Sequence, residues 1–196
     1  VVSVLLLIFL SRKTDLIPTI KVKSTKSKPN LEMSDSCHFH FFLSHVWSTG
    51  QDKAQKIARM LQLHVPGIRV WLDVDELENI GEDSLAKSVG DSELFVLVYS
   101  SGYFRSENCR KEVRAAFASN KPTLVLYEGD TKTLDTMKSE CKLYFGSEAD
   151  DVLDHLLNNV ALLWLGSCAQ PLAYMSIKLL VLRMLRDLPF YRINSF

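Results

Sequence analysis

From residue 37 onward, apolar positions fall into runs that switch between two periods. HFHFFLSH, residues 38–45, alternates and then closes into a short apolar run, a strand signal. STGQDKAQKIARMLQLHV follows, with Ile57, Met60, Leu61 and His64 at helical spacing and Ser48 or Thr49 placed to cap the helix. Pro66-Gly67 breaks it, IRVWLD predicts a second strand, and SLAKSV a short helix. ELFVLVYS is almost continuously apolar, as expected of a strand buried on both faces of a parallel sheet. A helix is predicted from about residue 106 to 119, Asn120-Lys121-Pro122 ends it, and TLVLYE predicts a fourth strand. Residues 129–149 are polar and weakly patterned. DDVLDHLLNN predicts a helix and VALLWL a fifth strand. PLAYMSIKLLVLRMLRDL predicts a last helix with Leu172, Met175, Leu179, Leu182 and Leu185 on one face. That face is read as core-facing, with a membrane-facing alternative.

Strands and helices that alternate five times predict an α/β fold with right-handed crossovers and helices on both faces of the sheet. Five parallel strands favour the flavodoxin-like order 2-1-3-4-5. In such a sheet the ligand crevice lies beyond the carboxyl ends of strands one and three. The segments that open there are SHVWSTG and SSGYFRSENCRKE, so Glu112 falls within reach of the crevice.

The region before residue 37 differs. Residues 1–10, VVSVLLLIFL, are too short to span a bilayer and are followed at once by Arg12 and Lys13. They read as the end of a truncated transmembrane helix with its basic side cytoplasmic, or else as a hydrophobic remnant of the N-terminus. Residues 11–36 are rich in Lys, Ser, Thr and Pro and read as a flexible linker, whose basic excess favours an anionic membrane surface. The folded domain is expected over residues 37–188, with a short tail at 189–196.

Across the 196 residues, 47% are apolar, and 23 Lys and Arg balance 23 Asp and Glu. That balance argues against nucleic acid as a partner. Cys37, Cys109, Cys141 and Cys168 are widely spaced and form no CxxC pair, which disfavours a disulfide framework or zinc ribbon. No GxGxxG follows strand one, and neither GxxxxGK[ST] nor GxSxG occurs. The ends of strands one and three, SHVW and YSS, lack the acids of a phosphoacceptor site.

Three ordered stretches, FFLSHVW, VWLDVDELENIGE and SVGDSELFVLVYSSGYFRSENCRKEV, resemble the TIR (Toll/interleukin-1 receptor) domain family. They match its strand-one box, its second strand with the acidic loop after it, and its third strand with a Ser-x-x-Tyr turn and a Cys-x-x-Glu helix. SHVW with GYFRSENCRKE is most similar to oomycete and microalgal variants. The resemblance implies a cytoplasmic signalling domain, membrane-anchored if residues 1–10 are the end of a membrane helix. It also implies NAD+ hydrolysis to nicotinamide and ADP-ribose, linear or cyclic. Glu112 would be the catalytic carboxylate, and Ser44, His45, Trp47, Ser100, Asn108 and Cys109 would contact substrate. NAD+ enters as substrate and no cofactor is implied. Partners would be other TIR domains, met through the loop that carries Asp73, Asp75, Glu76, Leu77, Ile80 and Gly81. The alternative is a non-catalytic adaptor that works through homotypic assembly.

The residues admit both chemical and structural readings. Cleaving a pyridinium–ribose bond passes through an oxocarbenium-like state, and the leaving group departs neutral, so one carboxylate suffices. Glu112 can equally be a solvated residue near a helix N-terminus, with Arg110 and Lys111 as its neighbours. Trp47 can stack on a ligand ring or pack under its loop. Thr49 to Asp52 open a helix whose free N–H groups suit a pyrophosphate. Asn108 stands where many family enzymes carry Trp, and Val46-Trp47 where many carry Arg. The acidic run Asp73, Asp75, Glu76, Glu78, Glu82 and Asp83 reads as a solvated loop rather than a metal site. His38 and His40, near Cys37, read as strand-edge packing rather than zinc ligands.

Overall fold

The computed structural model describes residues 19–72, 82–158, 161–166 and 170–187. Five strands, β1 (Phe39–Ser44), β2 (Val70–Trp71), β3 (Ser92–Val98), β4 (Thr123–Tyr127) and β5 (Leu162–Leu163), pair in the order β2-β1-β3-β4-β5. Every pairing is parallel, which gives the flavodoxin-like sheet expected from the alternating pattern. The described helices are α1 (Trp47–His64), α2 (Glu82–Gly90), α3 (Glu107–Ala118), α4 (Thr131–Phe145), α5 (Ala149–Leu157) and α6 (Gln170–Asp187).

The pleat sorts β1 side chains between two cores. Phe41 and Leu43 join Leu94, Val96, Val98, Leu124 and Leu126 under α1 and α6. Phe42 joins Phe95, Leu97 and Val125 against α3, α4 and α5. Ser44 has the parity of Phe42, so the strand delivers its hydroxyl to the α3 side. β1 and β3 are in register from Phe39↔Ser92 to Ser44↔Leu97, which aligns their carboxyl ends.

Three expectations are corrected. Residues 129–149 contain the fifteen-residue helix α4, capped by Asp130, whose carboxylate accepts the Lys132 N–H at 3.0 Å. Its buried residues are Met137, Cys141 and Phe145, a stripe too narrow to stand out among lysines and threonines. The face of α6 expected to point inward is the outer one: Leu172, Met175, Leu179 and Leu182 are exposed, although Leu185 packs on the core. Ala173, Ser176, Ile177, Leu180, Val181 and Met184 form the buried stripe. α1 begins at Trp47 with Val46 as N-cap and no side-chain cap, so neither Ser48 nor Thr49 fills that role.

The described part of residues 11–36 is tied to the domain. Ile20 N–H bonds the His64 carbonyl at 2.8 Å, and Ile20 and Leu31 pack against the α1–α6 core. The Ser34 hydroxyl donates to Glu93 at 2.8 Å. His40 is buried at the start of β1, where its Nδ1 accepts the Arg69 N–H at 2.8 Å and its Nε2 donates to the Leu31 carbonyl at 3.0 Å. These partners fix the tautomer, because the nitrogen that accepts cannot carry the proton. Among the described residues no helix is long and apolar enough to cross a membrane.

Candidate functional site

α3 opens on Ser106, whose hydroxyl accepts the Cys109 N–H at 3.4 Å, a capping geometry at the outer limit of hydrogen bonding. Cys109, Glu112, Val113 and Ala116 are its buried residues, at the spacing of one helical stripe. A carboxylate therefore occupies a core position of an amphipathic helix, and only 6% of Glu112 remains exposed. The solvated-helix reading of Glu112 fails on this geometry. Arg110 turns away to the carbonyls of Phe104 and Arg105, at 2.6 and 2.8 Å, and Lys111 pairs with Glu107 at 3.0 Å.

A buried carboxylate needs donors, since its desolvation is otherwise uncompensated. Ser44, at the end of β1, donates its hydroxyl to Glu112 Oε2. Ser44 Oγ also lies within hydrogen-bond reach of the Tyr103 hydroxyl. Ser44 has one proton, committed to the carboxylate, so Tyr103 is the donor to Ser44. Burial pushes the Tyr103 phenol well above its usual range, reinforced by Cys109 and Glu112, so that it keeps its proton. The result is a directed chain from Tyr103 through Ser44 to Glu112, linking the turn after β3, the end of β1 and α3.

Cys109 extends this cluster. Burial, followed by the nearby Glu112 charge, raises its thiol, which donates to the His45 carbonyl at 3.3 Å. The His45 ring is buried, with Nδ1 3.2 Å from the Leu43 carbonyl, so Nδ1 carries the proton. Its buried Nε2 is then an acceptor with no hydrogen-bond partner. A buried acceptor left unmet costs about 1–3 kcal/mol, which a donor on a ligand would relieve.

α1 and the turn after β3 meet at the carboxyl ends of β1 and β3. Thr49 Oγ1 lies 2.9 Å from Ser100 Oγ and donates to the Ser101 carbonyl at 3.0 Å. Gly50 permits this approach: a Cβ there would stand 3.0 Å from Ser100 Oγ and 3.4 Å from His45 Cβ. Its N–H already serves the Val46 carbonyl at 2.7 Å. The N–H groups at the helix start are thus those of residues 47–49, two positions earlier than the pattern predicts. Gly102, at φ +83, lets the turn adopt a left-handed conformation, and Glu140 of α4 accepts its N–H at 2.7 Å. Tyr99 also donates to Glu140, at 3.3 Å.

Of the expected site residues, Ser44, His45, Cys109 and Glu112 are brought together. Ser100 lies beside Thr49. Trp47 is half-buried at the first position of α1, and Asn108 is exposed in the first turn of α3. Asp73, Asp75, Glu76, Leu77, Ile80 and Gly81 lie outside the described residues. Tyr103 and Glu140 were not singled out from the sequence. Tyr103 sits inside the Ser-x-x-Tyr turn, whose position after strand three could have flagged it, whereas nothing local distinguishes Glu140 on its polar helix. Two surface depressions lie elsewhere: one of about 580 Å³ beside Arg110 and Arg114, and one of about 730 Å³ beside His155. Neither is lined by Ser44, Tyr103 or Glu112, so the convergence of polar groups locates the candidate site better than cavity size does. Among the described residues no group of three His, Cys, Asp or Glu side chains is arranged to hold a metal ion.

Comparison with known proteins bears on the family. The TIR domain family model matches residues 41–155. No curated protein matches this chain. The TIR domains of the activated Roq1 resistosome, a structure described as directly recognizing the pathogen effector XopQ, are 18% identical. That match covers 75% of this chain and 99% of that one, with a TM-score of 0.50, a likeness of fold. Two structures of a metazoan TIR-STING receptor from C. gigas also match. One, in complex with 2',3'-cGAMP, is 16% identical with a TM-score of 0.44, and the other is 18% identical with a TM-score of 0.45. They cover 66% and 69% of this chain, which spans only 42% and 45% of their own lengths.

Proposed function

Because the chain belongs to the TIR-domain family of signalling proteins, we propose that it cleaves the nicotinamide–ribose bond of NAD+, with Glu112 as the carboxylate that stabilises the ribosyl cation. The observation that carries this reading is a buried carboxylate in the core stripe of α3, held by the Ser44 hydroxyl at the carboxyl end of β1, beside the switch point of β1 and β3. The bond between ribose C1′ and the pyridinium nitrogen breaks, and its electron pair stays on that nitrogen. Nicotinamide leaves neutral, without a general acid. Water adds to C1′ and releases a proton, giving ADP-ribose; capture by a nucleophile within the product would give a cyclic form instead. Glu112 offsets the developing positive charge in a water-poor setting, where such stabilisation is strongest. His45 Nε2, an acceptor in want of a donor, suits a substrate hydroxyl or amide. Trp47, half-buried at the start of α1, would stack on a ring, and Ser100, beside Thr49, would meet a phosphate. Self-association, assigned to the acidic segment 73–81, would bring the chain to its active form.

A second reading, a non-catalytic adaptor, is favoured by one observation. The Tyr103–Ser44–Glu112 chain also serves as a tie between β1 and α3. Nicotinamide release by the full chain on a crowding support, beside Glu112→Ala, separates the two. Turnover that falls about a hundredfold or more in the variant, with assembly unchanged, supports the enzyme. Assembly without turnover in either protein supports the adaptor.

A further inference from the structure

Four large apolar side chains of α6 face solvent in steps of three, four and three residues: Leu172 is 45%, Met175 48%, Leu179 44% and Leu182 60% exposed. They form one stripe along about 15 Å of helix. Leu63, 48% exposed, adds to the same layer at the end of α1, where the His64 ring meets the Tyr174 ring of α6 at 4.6 Å. A helix already buried along one face has no packing reason for a second apolar stripe.

The charges beside this stripe are positive. α6 carries Lys178, Arg183 and Arg186, and its one acid is Asp187, the last residue. Lys178 lies over the Tyr174 ring, 4.6 Å from its centroid, which keeps the ammonium along the helix. The described chain enters at this layer, since Ile20 bonds His64 and packs on the core that α6 covers. From there Lys21, Lys23, Lys26 and Lys28 are all exposed, and no Asp or Glu occurs between residues 19 and 31. These lysines sit on a shaped loop. Val22 N–H bonds the Ser27 carbonyl at 2.9 Å, Lys26 N–H bonds the Val22 carbonyl at 2.8 Å, and Lys26 takes a left-handed φ of 57°.

We propose that the outer face of α6 and the lysine loop together dock on an anionic lipid surface, with the leucine stripe in the headgroup–acyl boundary and the lysines against phosphate and carboxylate headgroups. Basic charge flanking an apolar helical stripe is the pattern of interfacial helices, and each lysine near such a surface adds to the affinity. A second copy of the chain is the poorer occupant. A two-fold pairing of α6 helices would set Lys178 and its neighbours against their own equivalents.

Flotation of the full chain with vesicles of phosphatidylcholine, with and without phosphatidylserine, tests this. Three proteins are compared: wild type, Leu179→Gln/Leu182→Gln, and Lys23→Gln/Lys26→Gln. All changes are at exposed positions and leave residues 1–10 intact. Wild type is expected to float with anionic vesicles, less so as salt rises. Each double variant is expected to lose roughly tenfold or more in affinity while its circular dichroism is unchanged. Three results would overturn the proposal: no binding to anionic vesicles, equal binding to neutral ones, or binding undiminished in the leucine variant, which would assign it to residues 1–10. Self-association in solution that the leucine variant abolishes would also overturn it, since the stripe would then be a protein seam.

Discussion

At the scale of single residues, one hydroxyl holds the site together. Ser44 donates to Glu112 and receives Tyr103, so its removal breaks two buried hydrogen bonds, whereas removing the Tyr103 hydroxyl breaks one and leaves Ser44 still bonded to the carboxylate. Ser44→Ala should therefore cost more stability, about 1–3 kcal/mol, than Tyr103→Phe, as read by urea denaturation. Equal losses would mean that the three groups are not a chain. His40 gives a pH signature. Burial lowers its pKa from 6.5, so the unfolded chain binds the proton more readily than the folded one. Its contribution to stability is present above 6.5 and is lost as pH falls below that value. Melting temperature should drop on acidification, and less steeply in His40→Gln, a comparison that isolates this residue from His155, which burial shifts the same way. The thiols of Cys109 and Cys141 are buried and raised, Cys141 to about 12, so native protein should react with neither on the timescale of its unfolded form.

At the scale of elements, most of the architecture was legible because the pleat and the helical turn leave separate periods in the sequence. β3 is apolar at nearly every position because helices cover both its faces, and β1 shows its parity through Phe41, Phe42 and Leu43. α4 was not legible, because three buried residues in fifteen give a weak period. Its Asp130 cap was the local signal available, and Asp130→Ala should lower stability by about 1 kcal/mol in chemical denaturation. α6 was legible as a helix but not in its orientation. It carries apolar residues on two stripes, and the one with the larger leucines gives the stronger apolar signal, whereas the sheet selects the stripe with Ala173 and Ser176. Small residues there let the helix sit close, and the Ser176 hydroxyl reaches the Leu165 N–H at 3.0 Å. Capping of α1 went unread for a related reason: Thr49 is engaged by the turn after β3, a partner distant in sequence.

At the scale of the whole molecule, the fold brings together what the sequence holds apart. Ser44 and Glu112 are separated by 68 residues, and Tyr103 reaches Ser44 across 59. The motifs named these segments as a likeness of family, but only the 2-1-3-4-5 sheet places the end of β1 beneath α3. The same sheet puts the packed faces of α1 and α6 on one side and the Tyr103–Ser44–Glu112 chain on the other, with the first turn of α1 at the carboxyl edge between them. Lipid docking and nucleotide chemistry would thus occupy different faces. The measurement that bears most directly on the central claim is nicotinamide release from NAD+ by wild type, Glu112→Gln and Tyr103→Phe at equal degrees of assembly. Release by wild type, a loss of about a hundredfold or more in Glu112→Gln, and a smaller loss in Tyr103→Phe are expected. Release that is equal in wild type and Glu112→Gln would contradict the assignment of Glu112.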